Sequence, residues 1–189
     1  MRVFWEKGYE ATSISDLTAA LAIGPTSLYA AFGSKDALYT EALQHYCETN
    51  ADLVWARFSA ASTAREAVAA FLMDSAAVLT GELADIPRGC MVTLATVGSE
   101  GHDALGQLMQ QTRAQTLEKL TSRLRRGVRE GEISATTDLH ALARFVQTVQ
   151  SGMSILARDG ARAAELREVA ALAMLGWDAR LGSGQVTGG

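Results

Sequence analysis

Apolar positions recur at spacings of three and four along most of this chain, and period-two alternation is hard to find, so the pattern predicts an all-α protein. The segment "TSISDLTAALAI" opens with Ser13 three residues before Asp16, a capping-box-like start, and sets Ile14, Leu17 and Leu21 on one face. After "AIG", Pro25 suits the first position of a new helix, because its ring presets φ and no N–H partner is needed there. That helix, Pro25 to Phe32, turns Leu28 and Phe32 inward and leaves Thr26, Ser27, Tyr29 and Ala30 on other faces. Two short helices joined by a turn of three or four residues form a helix-turn-helix.

About nine helices follow from the whole pattern. Residues 1 to 7 read as the end of a helix stopped by Gly8. From Lys35 a helical pattern runs without a breaker to about Phe58, long enough to act as a strut between two units. "STAREAVAAFLMDSAAVLTG" is a helix capped near Ser62 or Thr63 and stopped at Gly81. The loop "ELADIPRG" leads into the short apolar segment "CMVTLATVG". Asp103 to Glu130 forms a long helix closed by Gly131, with Leu117, Leu120, Leu124 and Val128 on its buried stripe. Leu139, Leu142, Val146, Val149, Met153 and Leu156 then make a narrow coiled-coil-like seam suited to meeting another helix. A last helix, about Ala163 to Arg180, is apolar on much of its circumference and carries Gly176, where a neighbouring backbone has room to approach. "GSGQVTGG", residues 182–189, reads as a disordered tail.

One charge sits oddly in this scheme. Gly33 is a natural helix stop and Ser34 a natural N-cap, so Lys35 begins a helix and places a cation at its positive end. Asp36 partly offsets the mismatch, and an exposed lysine there costs only about a few tenths of a kcal/mol. The alternative is functional: an anion such as a DNA phosphate docked on the free N–H groups of that turn makes Lys35 a second ligand for it.

Composition narrows the class. The 189 residues are 48% hydrophobic and 20% charged, as in a globular protein, with room for one core or for a small module fused to a larger one. "MRVFWEKGYE" has no signal-peptide core and no segment approaches the length of a membrane span, which predicts a cytoplasmic protein with no membrane partner. Cys47 and Cys90 form no CxxC pair, so neither a disulfide framework nor a zinc ribbon is indicated. A net charge of −4 gives no general attraction to nucleic acid, and any DNA contact has to come from local geometry.

With Gly8-Tyr9, Thr12-Ser13, Asp16-Leu17, Leu28-Tyr29, Phe32 and Ser34-Lys35 placed, the first 46 residues resemble the DNA-binding domain of TetR-family repressors, whose pattern "GY..TS...DL......S.LY..F.SK..L" they follow in spacing. Residues 47–181 match that family only in helix count and order. The resemblance implies an N-terminal helix-turn-helix domain over 1–46 and a helical ligand-binding and dimerisation bundle over 47–181. It further implies a homodimer whose paired recognition helices enter successive major grooves of a double-stranded DNA operator, their separation controlled by a ligand pocket.

Carried onto this sequence, the recognition helix is Pro25 to Phe32. Thr26 and Ser27 face base edges, Tyr29 reaches a phosphate through its hydroxyl, and Lys35 holds a phosphate beside the helix start. Read without the resemblance, Tyr29 is a half-buried aromatic and Thr26 and Ser27 are plain surface residues. Ala30 and Ala31 stand where longer polar residues are common in the family, which moves specificity toward methyl contacts and DNA shape. Two departures stand out: the chain begins inside the family's first helix, and residues 1–46 set Arg2, Lys7 and Lys35 against Glu6, Glu10, Asp16, Asp36 and Glu41.

Singly, Trp55, Phe58, Phe71, Met91 and Met109 read as core. As a group they fit the wall of a cavity for a small apolar or amphipathic effector, with Thr93, Thr96 and Gln110 as its polar groups. The dimer interface is expected at Leu142, Val146, Val149, Met153 and Leu156 with Leu166, Val169 and Trp177 of the last helix. Cys90 in "PRGC" is either a sensor thiol, activated by Arg88 and a nearby helix start, or a small apolar residue opening a helix. "EGHD", Glu100 to Asp103, reads as a metal site or, more economically, as a loop ending in an Asp N-cap. Arg123, Arg125, Arg126 and Arg129 lie in the last turns of a long helix, where cations are favoured, and read as a solvated face.

His45, His102 and His140 are far apart in sequence, and no HExxH, GxSxG, P-loop or dinucleotide fingerprint occurs, so no enzyme, metal or cofactor is indicated. The reading is a homodimeric, ligand-responsive repressor. Its alternative is a small-molecule carrier or a thiol-based redox or electrophile sensor with a weakened DNA-binding domain.

Overall fold

A computed structural model describes residues 1–95 and 101–182. All the regular structure among them is helical: α1 (Arg2–Lys7), α2 (Ile14–Leu21), α3 (Pro25–Phe32), α4 (Lys35–Ala60), α5 (Ala64–Leu79), α6 (Met91–Leu94), α7 (Asp103–Arg129), α8 (Leu139–Arg158) and α9 (Ala163–Gly182). Thr96 and Glu100, and all but the first residue of the expected tail, lie outside the described residues.

Local chemistry sets most of the boundaries. Ser13 accepts from the Asp16 amide while Asp16 reaches back to the Ser13 amide, a full capping box, and Thr63 and Glu66 repeat it at the start of α5. Pro25 opens α3. Between α2 and α3 the chain turns at Ala22, whose φ of 53° is the one positive value at a non-glycine among the described residues. Leu17 and Leu28 are buried, whereas Leu21, expected on the same inner face as Leu17, lies at the helix end and is 44% exposed. At the start of α7 the N-cap is His102, not Asp103, and its side chain makes no capping bond.

Two cores lie along the strut. The first gathers Phe4, Trp5, Tyr9, Leu17, Leu28, Leu38, Tyr39 and Leu43 with Met91, Val92, Leu105 and Met109. The second is built on α5, where eleven of sixteen residues are buried, so this helix lies at the centre of the bundle and touches α4, α7, α8 and α9. Phe71 and Leu72 are each at most 1% exposed, and full burial of such a side chain stabilises by about 1.5–3 kcal/mol. Helix α7 passes close by: a Cβ on Gly127 would stand 3.0 Å from that of Ala64.

The seam on α8 does meet other helices, but they belong to the same chain. Leu142, Val146 and Met153, with Leu166 and Trp177 of α9, are 8, 0, 1, 1 and 3% exposed, so they offer a partner no surface. Val149 and Val169 pack against the same core, and of the expected interface set only Leu156 is exposed, at 46%. Outward instead face Phe145 and Ile155 of α8 and Leu172 and Leu175 of α9. Gly176 is exposed too, and nothing within the chain approaches the position of its absent Cβ.

The basic cluster also divides. Arg125 and Arg126 are solvated and paired with Glu118 and Glu130, each at 2.7 Å, whereas Arg123 is 7% exposed. Arg123 donates to the Ser62 carbonyl at 3.1 Å and lies 3.5 Å from Glu132, whose carboxylate also accepts from the Ala64 amide. The pair thereby fastens the end of α7 to the first turn of α5.

Candidate nucleic-acid interface and ligand cavity

Helix α3 is anchored by one fully buried residue, Leu28, with Phe32 half-buried one turn later. Everything else on it faces outward: Pro25, Thr26, Ser27, Tyr29, Ala30 and Ala31 are exposed, Tyr29 at 47%. Gly33, at φ 74°, breaks the chain sharply, and the Ser34 hydroxyl caps α4 by accepting from the Ala37 amide at 3.0 Å. The amides of Lys35 and Asp36, like those at any helix start, have no intrahelical acceptor.

Lys35 lies beside that start with its Nζ 4.2 Å above the ring of Tyr9. A cation over an aromatic face is held by the ring quadrupole, which keeps the ammonium in place. Tyr9 is buried and donates to Asp36, and burial, reinforced by that carboxylate, pushes its phenol well above the ordinary range. Asp36 is held below the usual carboxylate range, chiefly by the hydrogen bond from Tyr9 and further by His102. The His102 Nδ1 stands 3.3 Å from Asp36 Oδ2, and its ring meets that of Tyr9 edge-on at 4.8 Å. The sequence offers His102 as part of a loop ending in an Asp N-cap or, less economically, of a metal site with Glu100, which lies outside the described residues. The partners of His102 are instead Tyr9 and Asp36, and among the described residues no group of three metal-ligating side chains occurs.

Behind this surface, between α4, α5, α6, α7 and α8, is a cavity of about 160 Å³. Of the expected wall residues, Trp55, Phe71 and Thr93 line it, and Thr96 lies outside the described residues. Trp55 and Phe71 lie 4.8 Å apart, tilted by 33°. Phe58 stands behind Trp55, edge-on at 5.0 Å, and is buried in the bundle core. Met91 and Met109 belong to the first core, where the Tyr39 hydroxyl reaches the Met109 sulfur at 3.9 Å, and burial pushes that phenol up to about 12. Gln110 lies in a separate groove with Arg144 and Thr148. For Phe58, Met91 and Met109 the cause is the same: apolar spacing shows that a residue faces inward, not which cluster it enters, whereas Gln110 is exposed.

Sequence reasoning missed Tyr46, Cys47, Asn50, Arg113, Lys119 and Gln150 in the cavity wall. Cys90 lines it as well, half-buried, with the Tyr46 hydroxyl donating to its sulfur at 3.3 Å. Arg88, expected to activate that thiol, donates to the Ala161 carbonyl instead. Burial pushes the Cys47 thiol up, and the neighbouring Cys90 adds to this. Between Arg88 and Cys90, Gly89 takes φ +78°, and a Cβ there would fall 2.9 Å from the Ser154 carbonyl oxygen, so only glycine fits.

A helix-turn-helix with its second helix bare, set on a helical bundle that carries a partly open cavity, defines a class of DNA-binding regulator. Residues 1–42 match the family described as bacterial regulatory proteins, tetR family. The chain is 31% identical to the HTH-type transcriptional repressor ComR of Escherichia coli (strain K12) over 179 residues, which cover 94% of this chain and 84% of that one. It therefore belongs to the TetR family. Among solved structures it is similar to a cysteine mutant of the TetR family transcriptional regulator CifR, complexed with 26 bp double-strand operator DNA. That chain is 38% identical, with a TM-score of 0.88, and the match covers 93% of this chain and 92% of that one. A putative TetR transcriptional regulator from Rhodococcus sp. RHA1 is 40% identical, with a TM-score of 0.61 and 93% of each chain covered. Among the described residues no helix is long and apolar enough to cross a membrane.

Proposed function

We propose that this TetR-family transcriptional regulator is a homodimeric repressor that leaves its operator when a small molecule fills the cavity. The observation that carries the DNA-binding part is the exposed face of α3, where Thr26, Ser27, Tyr29 and Ala30 lie beside the α4 start that holds Lys35. Thr26 and Ser27 read base edges, Tyr29 and Lys35 take phosphates, and the short Ala30 side chain leaves room for a thymine methyl. The similar CifR chain was solved with operator DNA, which supports double-stranded DNA as the partner.

Dimerisation is assigned to the outer face of α8 and α9, where Phe145, Ile155, Leu156, Leu172 and Leu175 are 42–65% exposed. An apolar face this concentrated suits burial against a second copy by twofold symmetry. Two copies joined there present their α3 helices about 34–36 Å apart, one turn of DNA. An effector that binds the other spacing more tightly lowers operator affinity, and one with equal affinity for both shifts nothing.

Footprinting on the DNA beside the protein's own gene tests this. A protected site of twofold symmetry, its half-sites about 10 bp apart, is expected. Failure to retain that DNA at low salt, or retention by single subunits, contradicts the proposal.

A further inference from the structure

We infer that the cavity takes a small monoanion of one-ring size, a monocyclic aromatic carboxylate, whose charge is met by Arg113 and Lys119. This rests on the reading of the cavity as the effector site and names the chemistry it selects.

Size comes first. A volume of about 160 Å³ is close to that of an apolar cavity of about 150 Å³ that accepts benzene. The wall supplies a surface for a ring: Trp55 and Phe71 form one side, with Val54, Val78 and Val92 around them.

Charge selects the rest. Arg113 and Lys119 line the cavity, and among the described residues no aspartate or glutamate does. Further along α7, Arg123, Arg125 and Arg126 each have a carboxylate partner. Among the described residues, no carboxylate pairs with Arg113 or Lys119. Arg113 is half-buried and donates from Nη1 to the Val92 carbonyl at 3.1 Å, which fixes the guanidinium at the wall and, among the described residues, leaves its other donors unused. Lys119 stands at the rim with Nζ 4.9 Å above the Trp55 ring. A cation drawn partly out of water without a partner is a standing cost, and a carboxylate answers it with charge-assisted, potentially bidentate hydrogen bonds. An ammonium ligand would meet like charge at both positions. A neutral ligand of the same shape would leave the guanidinium unpaired.

Benzoate, benzamide and benzylamine serve as probes on the full chain, in titration calorimetry and in operator-release assays. Benzoate is expected to bind more tightly than benzamide by about tenfold and to release operator DNA, with benzylamine not binding. Arg113→Gln should weaken benzoate by about tenfold and Lys119→Met by about threefold, both leaving benzamide within about twofold. Because Lys119 is at the rim, its substitution keeps the test open where the loss of the Val92 contact disturbs folding. Equal binding of benzoate and either other probe, or benzoate binding indifferent to both substitutions, overturns the inference. A protein that ignores all three probes yet releases DNA to a different small molecule overturns the monocyclic aromatic carboxylate assignment alone. A protein that releases DNA to no small molecule overturns the effector-site reading beneath it.

Discussion

The indole Nε1 of Trp5 donates to the carbonyl oxygen of Gly89 at 2.9 Å, joining the first helix of the DNA-binding unit to the turn that enters the cavity wall. The same ring meets Tyr46 edge-on at 4.7 Å, and Tyr46 in turn donates to Cys90. From the other side Arg158 of α8 donates to the carbonyls of Trp5 and Glu6, at 2.7 and 3.0 Å. Of the groups that hold helix α1, Tyr46 also lines the cavity, and Gly89 directly precedes Cys90, which lines it too.

Trp5→Phe keeps an aromatic ring in the core but removes the donor, leaving the Gly89 carbonyl without its partner. The substitution is expected to lower stability by about 1–3 kcal/mol. It should also shrink the difference in operator affinity between ligand-bound and ligand-free protein. Urea unfolding and paired operator titrations check both effects; an undiminished ligand response would mean that the signal travels along α4 alone.

The Tyr9–Asp36–His102 cluster gives acid stability a definite direction. Asp36 has its pKa depressed in the folded chain, so the unfolded chain binds the proton more readily. Its contribution is complete above the unfolded value of about 3.9 and is lost as pH falls through the lower folded value. Asp36→Asn should therefore lower the melting temperature at neutral pH, and the gap should close below about pH 3.9. Circular dichroism melts across that range measure it, and a gap that stays constant down to pH 3 would contradict the assignment.

Substitutions on α8 and α9 separate surface from core. Leu172→Glu with Leu175→Glu alters side chains 65% and 64% exposed, and sedimentation is expected to show folded single subunits. Val146→Glu places a charge at a site that is 0% exposed and should abolish folding instead. A double variant that remains dimeric would move the interface elsewhere.

Arg123→Ala removes the cation that spans Ser62 and Glu132. Arg123 is buried while Glu132 reaches solvent, so the loss is mainly that of the hydrogen bond to Ser62 and is expected to cost about 1–3 kcal/mol, seen as a lower urea midpoint. A change within about 0.5 kcal/mol would show that the position behaves as surface.

What the sequence made legible was local. Ser13 with Asp16, Pro25, Gly33 with Ser34, and Thr63 near Glu66 act within one turn, so their chemistry can be read without knowing what lies beyond. The seam from Leu142 to Met153 was legible as a buried face, yet spacing alone does not say whether the covering helix belongs to the same chain. Met91 and Met109 failed for the same reason, since an inward methionine fits either core. Arg123 and His102 were missed because their partners, Ser62 and Asp36, lie 61 and 66 residues away. The exposed Leu172 and Leu175 did leave a signal, in a last helix apolar around much of its circumference.

The central claim is that the start of α4, with Lys35, lies on a DNA phosphate while α3 faces the bases. Fluorescence anisotropy titrations of wild type and Lys35→Ala against the DNA beside the gene, repeated across salt concentrations, test it most directly. The account predicts weaker binding to every sequence alike and a salt slope shallower by about 1. Affinity and slope both unchanged by the substitution would contradict it.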